Sequence, residues 1–303
     1  MGNVEVQVLA GREVVLGGTR GIAVSRTLPH RDRRMVGAWC FADQYGPHDT
    51  VSGPGMRVPP HPHTGLQTVS WLVRGEVLHR DSLGSEALIE PGQLNLMTAG
   101  QGIAHSEESP EHRSPVLQGV QLWVALPDGS RGVAAAFDHH PDLPVLVDGG
   151  ARTTVIMGEL AGAVSPARTY SRLVGAETTL AEGAGTVLPL REDFEYAALA
   201  LDGAAEVDGV ALHPGSLLYL GRGRTGVALR GPARVLLLGG EPFEERIVMW
   251  WNFVGRTHEE IAHSREDWMS GSTRFGAVRG YAGEPLPAPP MPATPLLPRG
   301  RGR

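Results

Sequence analysis

Glycine contributes 41 residues and proline 24, together 65 of 303. That is roughly a fifth of the chain, where an ordinary globular protein carries about 12%. Both residues punctuate turns and weaken helices, glycine through its backbone freedom and proline through its missing N–H. A mostly helical fold is therefore not expected, and an all-β chain of short strands is. The 41% hydrophobic content is enough for a sizeable core, so the whole chain is not disordered. The length prior of about 100–200 residues per domain gives two domains.

The charge pattern removes several function classes. All 27 cationic residues are arginine and the net charge is −6, against the basic surface expected of a nucleic-acid binder. Direct DNA or RNA binding is not expected. The single cysteine, Cys40, cannot close an internal disulfide, which fits a reducing compartment. The start, MGNVEVQVLAGREVV, lacks a cationic segment followed by an apolar one, so no secretory signal is expected. Val6 breaks the myristoylation pattern. No apolar run approaches 18 residues, so no membrane span is expected. These features together predict a cytoplasmic protein.

Short strands are expected at Gly21–Arg26, Gly37–Phe41, Leu66–Val73, Glu76–Arg80, Ala87–Ile89, Leu94–Met97 and Gly119–Pro127. Asp81-Ser82-Leu83-Gly84 and Pro91-Gly92 supply turns, and this spacing suits a sandwich or barrel. The polar stretch Asp128–Pro144 reads as a linker before a second β-rich run, Arg152–Gly239. Gly75 laid over Gly203, and Pro91-Gly92 over Pro214-Gly215, give the same order of strands and turns twice, as two similar domains would. Thr257 and Glu260 form a capping box at the start of one helix, which ends near Met269-Ser270-Gly271. The tail Pro285–Arg303 holds seven prolines and is expected to be extended or disordered.

Two histidine motifs carry the chemistry. On a strand, residues i and i+2 share a face, so His61 projects with His63, and His105 with Glu107. If the two strands neighbour each other, three imidazoles and a carboxylate converge, a donor set suited to a divalent transition metal with two positions left open. Among 12 histidines, however, a His-x-His by chance is about an even bet. Spacing alone leaves the choice open between a metal site and ordinary histidines. Glu108 and Glu111 meet the same-face rule less simply than Glu107. His258-Glu259-Glu260 is assigned to helix capping, since i and i+2 diverge on a helix. His79 faces the pocket side with Val77. His139-His140 faces solvent, His213 belongs to a turn, Trp71 and Met97 belong to the core, and Cys40 is a buried, inert thiol.

HPHTGLQTVSWLVRGEVLHRDSLG, PGQLNLMTAGQGIAHSE and VQLWVALP, in that order, resemble the N-terminal half of the pirin family. So does the upstream stretch Phe41–Pro47. The resemblance implies a bicupin: two tandem cupin-type jelly-roll β-barrels with a short C-terminal helix. The implied division is an N-terminal barrel over 1–130, a linker over 131–150, a C-terminal barrel with the helix over 151–284 and the tail over 285–303. It implies metal ligation by His61, His63, His105 and Glu107. The ion would be Fe(II), with nickel, copper, manganese or zinc also compatible.

The implied activity is that of a quercetin 2,3-dioxygenase. A flavonol-like substrate would lose its hydroxyl proton to Glu107, and dioxygen would open the ring with release of carbon monoxide. The other implied role is non-enzymatic: an iron-dependent redox regulator acting through protein partners. Thr64 stands where the family usually has an arginine, and Trp250–Arg256 differs from the common family ending. Under the glycine and Pro-Gly pairings, His61, His63, His105 and Glu107 fall on Pro189, Arg191, Ala228 and Arg230, so a single metal per chain is expected, in the first barrel.

Overall fold

The computed structural model describes residues 6–16, 22–53 and 55–302. The first five residues, and Gly21 at the head of the expected Gly21–Arg26 strand, lie outside them. The expected all-β architecture is present, in two halves. The first holds β1 (Gln7–Ala10), β2 (Arg12–Leu16), β3 (Ile22–Leu28), β4 (Trp39–Asp49), β5 (Arg57–His63), β6 (Leu66–Arg74), β7 (Val77–Asp81), β8 (Glu86–Ile89), β9 (Leu94–Thr98), β10 (Ile103–Glu108), β11 (Val116–Ala125) and β12 (Ala136–His140). The second holds β13 (Val145–Asp148), β14 (Ala151–Leu160), β15 (Ala163–Val164), β16 (Leu173–Leu180), β17 (Gly185–Pro189), β18 (Glu195–Gly203), β19 (Ala205–Val207), β20 (Val210–Leu212), β21 (Ser216–Gly221), β22 (Gly226–Arg230) and β23 (Ala233–Gly240). The chain then forms the hairpin β24 (Val248–Trp250) and β25 (Phe253–Gly255) and the helix α1 (His258–Met269).

The halves repeat one topology. The large sheet of the first contains β9-β6-β11-β4 and the small one is β5-β10-β7-β8; their counterparts are β21-β18-β23-β16 and β17-β22-β19-β20. Gly75 and Gly203 mark the same bend, with φ of +84° and +71°. A Cβ would lie 2.5 Å from the Val116 carbonyl oxygen at Gly75 and 2.6 Å from that of Pro232 at Gly203. Only glycine fits either position. The large sheets pack against each other: Trp39, Trp71 and Val120 share one core with Leu199, Leu236 and Leu238. Trp39 donates its indole N–H towards the Val174 and Gly239 carbonyls across that contact.

Three segments depart from expectation. Residues 131–150 contain β12, which pairs with β9 of the first half, and β13, which pairs with β14 of the second. Their polar residues resemble a linker in sequence because edge strands need little apolar alternation. β1 crosses over and pairs with β21 in the second half. The tail is extended but held in place. Leu286 N–H donates to the Pro60 carbonyl, Ile247 and Arg299 exchange backbone hydrogen bonds, and Arg301 reaches buried Glu195 at 2.9 Å. Its prolines give up donors, yet the remaining groups find partners on distant elements, which no local composition reveals.

Thr257 caps α1 by accepting from Glu260 N–H, as expected. The Glu260 carboxylate accepts from Arg256 N–H. Among the described residues no helix is long and apolar enough to cross a membrane.

Candidate metal centre

The site is built on β5, an edge strand of the small sheet. Its sequence Val58-Pro59-Pro60-His61-Pro62-His63 is compatible only with an edge, because proline cannot donate to a ladder on both sides. β10 pairs with it antiparallel, with His61 opposite His105 and Ile103 opposite His63. A register irregularity follows between His105 and Glu107. All four expected residues are buried.

They assemble as two overlapping groups. His61, His63 and His105 bring ring nitrogens within 4.8 Å of one another, and His79, His105 and Glu107 form a second such group. His105 belongs to both, and its Nε2 lies 3.1 Å from His63 Nε2. His79, expected only to line the pocket, is therefore part of the cluster. The signal in the sequence was its i,i+2 partner Asp81, whose carboxylate lies 3.2 Å from His79 Nε2.

The other nitrogens of the paired histidines are committed. His61 Nδ1 lies 2.9 Å from the Pro59 carbonyl and His63 Nδ1 lies 3.0 Å from the Asn252 carbonyl. A carbonyl only accepts, so both Nδ1 atoms donate and both Nε2 lone pairs stay bare. Asn252 comes from the turn of the β24–β25 hairpin, so the divergent Trp250–Arg256 stretch contributes to the cluster through its backbone. Ser70 Oγ lies 3.0 Å from Glu107 Oε1 and 2.9 Å from Gln121 Oε1.

Burial sets the protonation of the cluster. It pushes His61 down to about 4, and holds His63 and His105 well below the usual imidazole range, with neighbouring histidines adding to the effect. Burial raises Glu107. For Asp81 burial acts upward, but hydrogen bonds from His79 and Ser85 prevail and hold it low. Neutral imidazoles with bare nitrogens at close range, beside a carboxyl, form a donor set that fits a divalent cation.

The cluster opens into a cavity of about 840 Å³. Phe41 and Trp123 stack on its wall at 4.0 Å, and Arg26 lies over Phe41 while forming a two-pronged pair with Asp43. Trp251, Tyr281 and Leu286 reach the same cavity from the C-terminal segment, so the tail helps enclose it. Thr64 is buried, and its carbonyl accepts from Val254 N–H.

The remaining candidates lie elsewhere. Glu108 pairs with Arg80 and Arg57, and Glu111 is exposed. His258 Nδ1 accepts from Leu296 N–H of the tail. His213 is exposed at its turn, while Trp71 and Met97 are core residues. His139 and His140 are half-buried rather than solvent-facing, since both sit on β12, and His139 contacts Asn95 at 2.6 Å. Cys40 is buried and its thiol is pushed up to about 12 by burial.

The second half carries none of this at the equivalent places. Glu107 stands opposite His79, and Leu229 stands opposite Val207. His61 stands opposite His105, and Leu188 opposite Val227. The equivalents are thus Leu188, Val207, Val227 and Leu229, all buried in one apolar cluster with Leu190 packed against it. The pairing by turns had placed Pro189, Arg191, Ala228 and Arg230 there. It slipped by one residue on both β17 and β22, because it was anchored at turns outside those strands, and a one-residue slip exchanges the two faces of a strand.

Residues 21–124 match the Pirin family, and residues 175–276 match the Pirin C-terminal cupin domain. A Pseudomonas aeruginosa protein named, provisionally, as a quercetin 2,3-dioxygenase is 49% identical over 95% of this chain and 91% of its own length. A pirin-like protein of Caulobacter vibrioides is 38% identical over 87% of this chain and 94% of its own. The crystal structure of a quercetin 2,3-dioxygenase from Acinetobacter baumannii superposes with a TM-score of 0.91 at 42% identity, covering 95% of this chain and 96% of that one.

Proposed function

The chain belongs to the pirin family of two-barrel cupin proteins, and from that premise we propose that it is a metal-dependent 2,3-dioxygenase of quercetin-like flavonols. His61, His63, His105 and Glu107 would hold one divalent transition ion, in the first barrel alone. Fe(II) is the proposed ion; nickel, copper, manganese and zinc suit the same donors. The observation that carries the proposal is the convergence of three buried imidazoles on the floor of an 840 Å³ cavity with an aromatic wall.

When bound, the ion would acidify a coordinated hydroxyl and support reaction of the ring with dioxygen. The chain's own residues do the rest. The stacked Phe41 and Trp123 give the cavity an aromatic wall against which a planar substrate can pack. Glu107 accepts the flavonol hydroxyl proton on its carboxylate, within reach of Ser70 Oγ. The tail restricts water at the mouth. A chamber of this size favours turnover over the alternative role as a redox regulator, which would need no room for a substrate.

The test is an aerobic assay of protein loaded separately with each candidate ion, following the loss of quercetin absorbance. Turnover is expected, with Glu107→Gln slower by about 100-fold or more, the usual contribution of a general base. Absence of turnover with every ion overturns the proposal. Equilibrium metal binding by His63→Ala tests the centre itself, and unchanged affinity would remove it.

A further inference from the structure

His105 differs from its two partners in what stands behind it. His61 and His63 direct Nδ1 at backbone carbonyls. His105 Nδ1 instead faces His79 Nδ1 at 3.4 Å, and His79 Nε2 faces Asp81 Oδ2 at 3.2 Å. All three side chains are buried. Phe137 of β12 stacks on His79 at 4.3 Å and fixes its ring plane. The other Asp81 oxygen, Oδ1, accepts from Leu83 N–H and Ser85 N–H.

We propose that Asp81 and His79 are positioning residues that lock His105 in its Nδ1–H tautomer, so that its bare Nε2 faces the centre. The proton order follows from the end of the chain. The carboxylate can only accept, so His79 donates from Nε2. His79 Nδ1 is then a lone pair and accepts from His105 Nδ1–H. His105 Nε2 is left bare, 3.1 Å from the equally bare Nε2 of His63. Two lone pairs held face to face repel, and a cation between such nitrogens relieves that repulsion. The relay thus keeps the cluster poised for an ion instead of letting it close on an internal hydrogen bond. The role rests on the proposed ligation by His105. Val207 occupies the place of His79 in the second barrel and can relay nothing.

Asp81→Asn makes a sharp test. With Oδ1 still held by the Leu83 and Ser85 amides, the new NH2 group must face His79 Nε2 and donate to it. The His79 proton then moves to Nδ1 and points at His105 Nδ1, which leaves the His105 proton on Nε2. Ring nitrogen shifts of [15N]histidine in the metal-free protein at pH 8 report this directly. The expected result is Nδ1–H at His105 in the wild type and Nε2–H in Asp81→Asn. Co(II) titration should show an affinity lower by about 10–100-fold in Asp81→Asn, as for other losses behind a ligand. His79→Phe keeps the stack on Phe137 and should lose affinity similarly, which serves if Asp81→Asn fails to fold. The same His105 tautomer in both proteins, or Co(II) affinity within about twofold of wild type in both variants, overturns the relay. A wild type that takes up no Co(II) overturns the metal centre, and the tautomer comparison still decides the relay.

Discussion

The two barrels share strand order and bend glycines but have opposite interiors. The first buries His61, His63, His79, His105 and Glu107; at the matching inward places the second buries Leu188, Val207, Val227 and Leu229, with Leu190 packed alongside. Strand order is set by turns and by alternation of apolar residues, and both halves retain these. The chemistry is set by a few inward positions that the fold tolerates in either form. Burying titratable groups costs stability, whereas burying aliphatic ones supplies it. The second barrel and the core it shares with the first are therefore the stable part of the molecule, and the first carries a stability cost for its donors.

Acid should expose this difference most strongly. Each of the three imidazoles has a folded pKa below its unfolded value near 6.5. Such a group leaves stability intact above 6.5 and lowers it as pH falls, because the unfolded chain takes up the proton first. For a fully buried neutral histidine the loss reaches about 2 kcal/mol by pH 5. Glu107 acts with opposite sign, since its raised pKa stabilises the folded state at lower pH and loses that effect as pH rises. One carboxyl against three imidazoles leaves a net loss. Metal-free protein should thus lose several kcal/mol between pH 7.5 and 5 in urea titrations, while protein saturated with metal loses less in the range above about 5. A flat profile for the metal-free protein would break the contrast between the barrels.

The reciprocal experiment places a polar donor in the second barrel. Leu229→Glu removes about 2–3 kcal/mol of apolar burial and adds the cost of burying a carboxyl. The expected loss is at least about 4 kcal/mol in denaturant titrations, with no metal uptake, because no imidazole faces position 229. Retained stability together with Co(II) binding by the second barrel would show that the interiors are interchangeable.

The legible parts of this molecule were those in which local chemistry decides. Pro-Gly and glycine turns announced the repeat, and strand parity placed His61 with His63 and His105 with Glu107. The capping residue Thr257 fixed the start of the helix. The sequence did not reveal what depends on distant partners. β12 is held by β9, β1 by β21, and the tail by Glu195, Ile247 and Pro60. The registers of β17 and β22 are misplaced by one residue when the pairing is anchored at turns outside those strands. His79 was assigned to the pocket but not to the cluster, since its role depends on Asp81 and on an approach to His105 that only the β7–β10 ladder creates.

The tail connects the barrels, and cutting its anchor should have an intermediate effect. Glu195, fully buried, accepts from Gly37 N–H, Tyr219 O–H and Arg301. Arg301→Ala leaves that carboxylate without its closest cation, at a cost of about 1–3 kcal/mol. The same tail contributes Leu286 to the cavity of the first barrel. Release at the second barrel should therefore raise KM for quercetin more than it lowers kcat. Equal effects on both would mean that the tail does not reach the substrate.

The smallest effect concerns Cys40, on the strand β4 that lies in the core shared by the two halves. Its thiol is buried and pushed up to about 12, despite backbone hydrogen bonds that oppose the shift. The thiolate is the reactive species, so burial leaves Cys40 in the unreactive thiol form at pH 8 and out of reach of reagents. Iodoacetamide should leave Cys40 unlabelled while the native fold persists. The informative measurement is labelling across a urea titration. Leu199, Leu236 and Leu238 of the second half share the core with Cys40, so exposing the thiol means separating the large sheets. Labelling and loss of far-UV circular dichroism should share one midpoint. Labelling at lower urea would show that the first barrel opens by itself, and the cost of its buried donors would then be a local property, not one carried by the whole molecule.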